Sequence, residues 1–505
     1  MSRALLLAAL LAFSASAADA PKDAPKKKDE DKPVETSSVT TRTVKIGGKS
    51  VTYTATAGTL ILKDDKGEPR ASMFYVAYTL DGGKDGSKRP VTFTFNGGPG
   101  SSSVWLHLGT FGPRRVAFAD AAMPAPAPYG FVDNEHSILD ATDLVFIDPV
   151  GTGFSKPLGE AKLDDFTGVK EDVKAVGDFV RLWTTRNNRW QSPKFLAGES
   201  YGTTRAAALV NHLQNNEGMS FNGVVLVSSI LNFQTARFDT GNDLPYITFL
   251  PTYAATAWYH GALGDKPKEL EPFLAEVRGF AAGEYAQALM KGSTLGQAES
   301  DAIAVKLARY TGLSPAFVQQ SNLRIDIFRF TKELLRAQRR TVGRLDSRYQ
   351  GIDEDAAGER FEFDPSLAAI TGPYTAALYD YARAELKVAD ERKYEILSGA
   401  VNRQWKWGAE GFGGGGYVNV AEDLRAAMSR NPHLKVLVAN GYYDLATPFF
   451  ATEYTFDHLG LEPALTGNVT LTYYPAGHMM YVHGPSLAQL KTDVAGFIAR
   501  ATAKP

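Results

Sequence analysis

The residues best suited to chemistry lie in Gly198-Glu199-Ser200-Tyr201-Gly202. The mostly apolar run Lys194–Ala197 leads into this Gly-x-Ser-x-Gly pattern, and Thr203–Leu213 behind it is rich in alanine and reads as a helix. A strand ending in a sharp turn with serine at its apex, with a helix starting at once behind it, is the sequence form of a nucleophile elbow. Side chains at positions 198 and 202 would collide across so tight a turn, hence the glycines. The free N–H groups of the helix N-terminus point to where negative charge develops during acyl transfer. Alone the pattern is weak, because Gly and Ser are common in loops. Its weight comes from partners elsewhere in the chain.

A serine hydroxyl needs a base, and the base needs an orienting carboxylate. In the fold an elbow implies, the acid and then the histidine follow later in the chain. Asn440-Gly-Tyr-Tyr-Asp444-Leu-Ala-Thr-Pro448 sets Asp444 in the loop after an expected core strand, and Pro475-Ala-Gly477-His478 sets His478 in a glycine turn after the next. Both belong at the C-terminal edge of the sheet. Asp444 could instead be a helix N-cap or close an Asx-turn, and His483 is a rival for His478. His478 is favoured because it lies nearer the strand end with a glycine directly before it; His458 falls on a helical surface and His433 precedes a strand. An oxyanion hole needs two N–H donors. Tyr201 supplies one, and the turn Asn96-Gly97-Gly98-Pro99-Gly100 is the natural source of the other.

Around these residues the chain predicts an α/β fold. Val44–Ile46, Val51–Thr56, Thr59–Leu62 and Ala71–Tyr78 alternate and are separated by Gly and Asp, the pattern of an antiparallel meander. Val91–Phe95, Leu144–Val150, Gly223–Ser229, Leu434–Ala439 and Val469–Tyr473 read as core strands, the second almost wholly apolar as in a sheet covered on both faces. Lys170–Arg186 has helical spacing, with Val173, Val176, Phe179, Val180 and Trp183 on one face. Strand–helix–strand order with short connections implies a mostly parallel central sheet flanked by helices. The order breaks at 232–399, a mainly helical insertion (269–284, 295–309, 314–322, 329–344, 371–392) suited to a cap or lid. The expected organisation is a targeting segment at 1–20, a charged disordered linker at 21–38, core at 39–231, the insertion, and core again at 400–505 with a terminal helix at 486–501.

The 505 residues are 44% hydrophobic and 22% charged with a net charge of −2, which argues against nucleic acid or an anionic membrane surface as partner. There are no cysteines, so disulfides, thiolate metal sites and a catalytic thiol are excluded. No His-x-x-x-His pair suggests a zinc hydrolase, and no metal or cofactor is expected. Arg3, the apolar stretch Ala4–Phe13 and Ala15-Ser16-Ala17 have the form of a cleavable export signal, too short to span a bilayer. No membrane anchor is expected of the mature chain, and the lack of cysteine points to a bacterial periplasm or secretion from a bacterium. Oligomeric state is not legible.

Asn96–Ser103 (Asn-Gly-Gly-Pro-Gly-Ser-Ser-Ser), Asp148–Ser155 (Asp-Pro-Val-Gly-Thr-Gly-Phe-Ser), Gly198–Gly202, Asp444 and Gly477-His478-Met479 together resemble the serine carboxypeptidases, peptidase family S10, of the α/β-hydrolase superfamily. The resemblance runs from about Phe93 to the C-terminus. It implies Ser200 as nucleophile, His478 as base, Asp444 as its orienter, and the Gly98 and Tyr201 N–H groups as oxyanion donors. It also implies that Asn96, the Gly97 N–H and Glu199 grip the C-terminal carboxylate of a peptide substrate. Glu199 can do so only when protonated, which requires burial to raise its pKa and favours acidic pH. Thr94 stands where the family usually has Trp, and Thr110-Phe111 precedes Gly112-Pro113 where a second Glu is common. The implied activity is release of C-terminal residues through an acyl-enzyme. Ester or amide hydrolysis or acyl transfer on the same triad is the alternative, and a silent binding protein is opposed by the intact Ser, Asp, His and glycine turn.

Overall fold

The computed structural model describes residues 33–81, 88–118, 125–408 and 416–503. The expected targeting segment 1–20 and most of the stretch 21–38 lie outside the described residues.

Nine strands form the main sheet: β1 (Ser37–Ile46), β2 (Lys49–Lys63), β3 (Pro69–Leu80), β4 (Val91–Phe95), β5 (Asp143–Ile147), β6 (Lys194–Ser200), β7 (Gly223–Ser229), β8 (Lys435–Gly441) and β9 (Val469–Tyr474). Their spatial order is β1-β2-β3-β5-β4-β6-β7-β8-β9, with a two-residue tenth strand, Lys156–Pro157, beside β3. Pairing is antiparallel from β1 to β5 and parallel from β5 to β9. The expected mostly parallel sheet with N-terminal antiparallel strands is therefore found.

The apolar runs of the central strands follow from burial on both faces. Leu196, Val224, Leu226, Val436 and Val438 enter one core, under the helices Val169–Arg186, Tyr201–Asn216 and Ala421–Arg430. Phe195, Ala197, Val225, Val227, Leu437 and Ala439 enter the other, under the terminal helix Gly484–Thr502 and the helix Pro365–Ala384. Because β4, β6, β7, β8 and β9 are parallel, their C-terminal ends share one edge, and the loops after them carry Asn96, Ser200, Asp444 and His478.

Two local expectations are corrected. Gly58 does not turn the chain: β2 runs unbroken through it, and a Cβ there would lie 2.3 Å from the Thr36 carbonyl oxygen, so glycine admits the neighbouring strand. The helix expected at 329–344 stops at Glu333. Thr341 and Val342 instead form the strand Arg340–Val342, paired with Gln350–Ile352, and Arg344 stands in the loop between them. β-branched residues that gain a partner strand override helical spacing. Between β7 and β8 the chain is otherwise largely helical, with a separate apolar cluster around Phe249, Tyr253, Leu274, Val277, Leu307 and Phe330.

Candidate active site

Ser200 closes β6 with φ 59° and ψ −130°, and the helix Tyr201–Asn216 starts at the next residue. Such a conformation costs a non-glycine residue on the order of 1–3 kcal/mol and persists only where its surroundings impose it. They do: a Cβ on Gly198 would come within 2.1 Å of the Gly202 carbonyl oxygen. One on Gly202 would meet Phe95 O at 2.9 Å, so this second glycine makes room for β4 rather than for the turn itself. The Asn96–Gly100 turn presses on the elbow from that side, since a Cβ on Gly97 would lie 2.4 Å from the Tyr201 amide nitrogen. Beneath both, buried Arg205 donates from Nε to Asp172 Oδ2 (2.7 Å) and from Nη1 to Asn96 O (2.6 Å).

Asp444 and His478 meet as expected, with His478 Nδ1 2.7 Å from Asp444 Oδ2. Asp444 also closes a turn, its Oδ1 accepting from Ala446 N (2.8 Å) and Thr447 N (3.0 Å) while its Oδ2 faces His478. His483 lies apart, 2.7 Å from Ser486 Oγ at the start of the terminal helix. Burial lowers the His478 pKa, the Asp444 carboxylate raises it, and the net shift is upward. Ser200 Oγ makes no hydrogen bond to His478, but both border one cavity of about 380 Å³. Catalytic hydrogen bonds of this kind commonly close only when substrate binds.

Asn96, Gly97, Gly98 and Glu199 border the same cavity. Asn96 is held in one orientation: its Oδ1 accepts from Leu106 N (3.0 Å) and its Nδ2 donates to Glu199 Oε1 (2.9 Å). The buried Glu199 carboxyl is pushed up to about 7, chiefly by desolvation, against the pull of His478 and its two hydrogen-bond donors. Among the described residues no group of three or more His, Asp or Glu side chains is placed to hold a metal ion.

A sequence profile described as serine carboxypeptidase, Peptidase S10, matches residues 50–498. The chain belongs to the serine carboxypeptidase family. Among curated relatives, serine carboxypeptidase-like 11 of Arabidopsis thaliana is 28% identical over 171 residues, 32% of this chain and 38% of the relative. The lysosomal protective protein of Mus musculus is 27% identical over 183 residues, 36% of this chain and 34% of the relative. These matched stretches thus span less than two fifths of either relative. Among solved structures, the KEX1(delta)P prohormone-processing carboxypeptidase of Saccharomyces cerevisiae superposes with a TM-score of 0.53 at 15% identity, covering 88% of this chain and 91% of that one. The fold is that of the α/β-hydrolases.

Within this family member, several residues that complete the site carry no sequence signal. Thr447 Oγ1 donates to Asp444 Oδ2 (2.7 Å) and lies 3.3 Å from His478 Nδ1. Buried Asp346 takes Gly477 N at 3.1 Å, while its partner Arg348 donates to Pro475 O at 3.0 Å, so the insertion grips the histidine loop. In place of the second glutamate, Glu199 meets a phenol: Tyr481 Oη donates to its Oε2 at 2.6 Å. Only its place three residues after His478 could have drawn attention to Tyr481.

Proposed function

We propose that this chain is a serine-type carboxypeptidase that releases C-terminal residues from peptides. One observation carries the choice of substrate end: a buried carboxyl with a pKa of about 7 borders the cavity that Ser200 and His478 share. A neutral acid there donates a hydrogen bond to a carboxylate, where an ionised one would repel it.

In this reading a peptide's terminal carboxylate takes the second N–H of Asn96 Nδ2, the Gly97 N–H and the Glu199 hydroxyl. Ser200 Oγ attacks the adjacent carbonyl carbon as its proton passes to His478 Nε2, and Asp444 holds the ring from Nδ1 and stabilises the imidazolium. The Gly98 and Tyr201 N–H groups take the oxyanion. Collapse breaks the C–N bond, His478 returns the proton to the leaving amine, and water repeats the sequence on the acyl-enzyme. Residues 232–399 act as the cap. Export to a bacterial periplasm or medium is supported by the Arg3–Ala17 pattern and the lack of cysteine. Among the described residues no helix is long and apolar enough to cross a membrane.

The test compares an N-blocked dipeptide with its C-terminal amide from about pH 4 to 8, a window spanning the ordinary glutamate and histidine pKa values. Faster hydrolysis of the free acid, lost on the order of 10⁴-fold or more in Ser200→Ala, supports the reading. Equal or better turnover of the amide retains the triad but reassigns the enzyme to endopeptidase, amidase or esterase work.

A further inference from the structure

Beside the carboxylate-reading groups the cavity holds one strong cation. Arg344 borders it half-buried, with Leu345, Leu367, Ile370, Leu397 and Met479 as apolar walls. Its backbone is pinned on both sides: its N–H donates to Asp364 Oδ1 (3.1 Å), and its carbonyl accepts from Leu445 N (3.0 Å), next to Asp444. The following residue accepts the His478 N–H at 2.6 Å. The side chain is left unused: among the described residues the Arg344 guanidinium has no hydrogen bond or ion pair.

The nearby anions do not supply a partner. Asp364, also on the cavity wall, already accepts from the N–H groups of Arg344 (3.1 Å), Leu345 (3.3 Å) and Ser366 (3.0 Å) and from the Ser366 hydroxyl. Glu199 is committed to Asn96 and Tyr481. An uncompensated cation here also works against the chemistry, because Arg344 disfavours the imidazolium that His478 must become. That opposition disappears when an anion occupies the cavity. A half-buried guanidinium presents a fork matched to a carboxylate.

We propose that Arg344 is a specificity residue that binds the side-chain carboxylate of a C-terminal aspartate or glutamate, with the α-carboxylate held at Asn96 and Glu199. This rests on the carboxypeptidase reading, and it adds a substrate class: peptides with acidic C-terminal residues. A glutamate fits the cavity's chemistry, its methylenes against Leu367, Ile370 and Met479 and its charge on Arg344.

The experiment uses N-blocked dipeptides ending in Glu, Gln and Leu, all free acids, at pH 6, on the acid side of the Glu199 value of about 7. The wild-type enzyme is expected to hydrolyse the Glu peptide about 10- to 100-fold better in kcat/KM than the Gln peptide, the span of a charge-assisted bond. Arg344→Gln should bring the Glu:Gln ratio to about one while the Leu peptide is still cleaved, which also reports that the variant is folded. Arg344→Lys should retain part of the ratio, keeping charge without the fork. An equal loss on all three peptides would mean that Arg344 grips the α-carboxylate, and a Glu:Gln ratio near one in the wild type would remove any acidic preference. Either overturns the proposal. Failure of the wild type to cleave even the Leu peptide would instead count against the carboxypeptidase reading itself.

Discussion

Tyr481 and Glu199 stand 282 residues apart in the chain and meet through a 2.6 Å hydrogen bond at the edge of the cavity that Ser200 shares with His478. Donating to Glu199, the phenol favours its ionised form, yet burial outweighs it and leaves the carboxyl at about 7. His478 pulls the Glu199 pKa down, and Glu199 pushes that of His478 up. In the proposed carboxypeptidase the productive state has the proton on Glu199 and none on His478, and a substrate carboxylate would favour that state because an ionised Glu199 repels it.

The first prediction follows from the sign of that shift. Below about pH 7 Glu199 is protonated and free-acid peptides bind; above it the anion forms and their KM should climb roughly tenfold per pH unit, as for loss of one required proton. An ester of the same dipeptide should lack this rise. Glu199→Gln keeps a donor but cannot ionise, so its free-acid KM should stay level between pH 6 and 8. Parallel acid and ester profiles would contradict the assignment.

Tyr481→Phe separates the phenol from its ring. Packing against the Gly109 backbone is retained, while Glu199 loses a donor to its charged form. Its pKa should therefore rise further, and the alkaline increase in free-acid KM should move to higher pH. Turnover of a simple ester should change less than about threefold, because no group of the triad is touched. A profile unmoved by the substitution would leave Tyr481 as packing only.

What the sequence made legible tracks how locally each feature is encoded. The elbow and the loops carrying Asp444 and His478 show because glycine and strand-end signals lie within a few residues of the chemistry. Asp444 is ambiguous in sequence for a physical reason: one of its oxygens closes a turn while the other faces His478. Tyr481 and Arg344 are not legible because their place beside the cavity depends on segments distant in sequence, and Thr447, only three residues from Asp444, carries no glycine or strand-end signal. Arg344 was further hidden by an apparent helix at 329–344, which breaks where Thr341 and Val342 find a partner strand. Gly58 looked like a turn for the opposite reason, since its small size serves a neighbouring strand rather than its own conformation.

Thr447 gives a graded test of the triad. Its hydroxyl donates to the same Asp444 oxygen that accepts from His478, so it fixes the carboxylate's orientation and shares its charge. Asp444→Asn should lower kcat on the order of 10⁴-fold through the wrong ring tautomer. Thr447→Val should cost roughly 5- to 30-fold, about 1–2 kcal/mol, for a buried acceptor that loses one donor. Both losses should appear equally on free-acid and ester substrates, since neither residue borders the carboxylate-reading groups. A selective loss on free acids would point to Thr447 acting on substrate binding instead.

The ion pair beneath the elbow links stability to the position of the Asn96 turn. Arg205 and Asp172 have side chains 1% and 4% exposed, and Arg205 also holds the Asn96 carbonyl from below. Asp172→Asn strands the guanidinium and should destabilise the fold by about 3–5 kcal/mol in urea unfolding. Replacing both residues with apolar side chains of similar size, Arg205→Met with Asp172→Leu, removes the stranded charge and should recover most of that stability. It cannot restore the bond to the Asn96 main-chain carbonyl, which holds the turn whose side-chain amide faces Glu199. The double variant should therefore unfold nearly like the wild type and hydrolyse esters normally, yet bind free-acid peptides with a KM raised about tenfold, the worth of one such hydrogen bond. If its free-acid KM matched the wild type, the pair would be structural alone, and the Asn96 turn would owe its position to the glycines and β4.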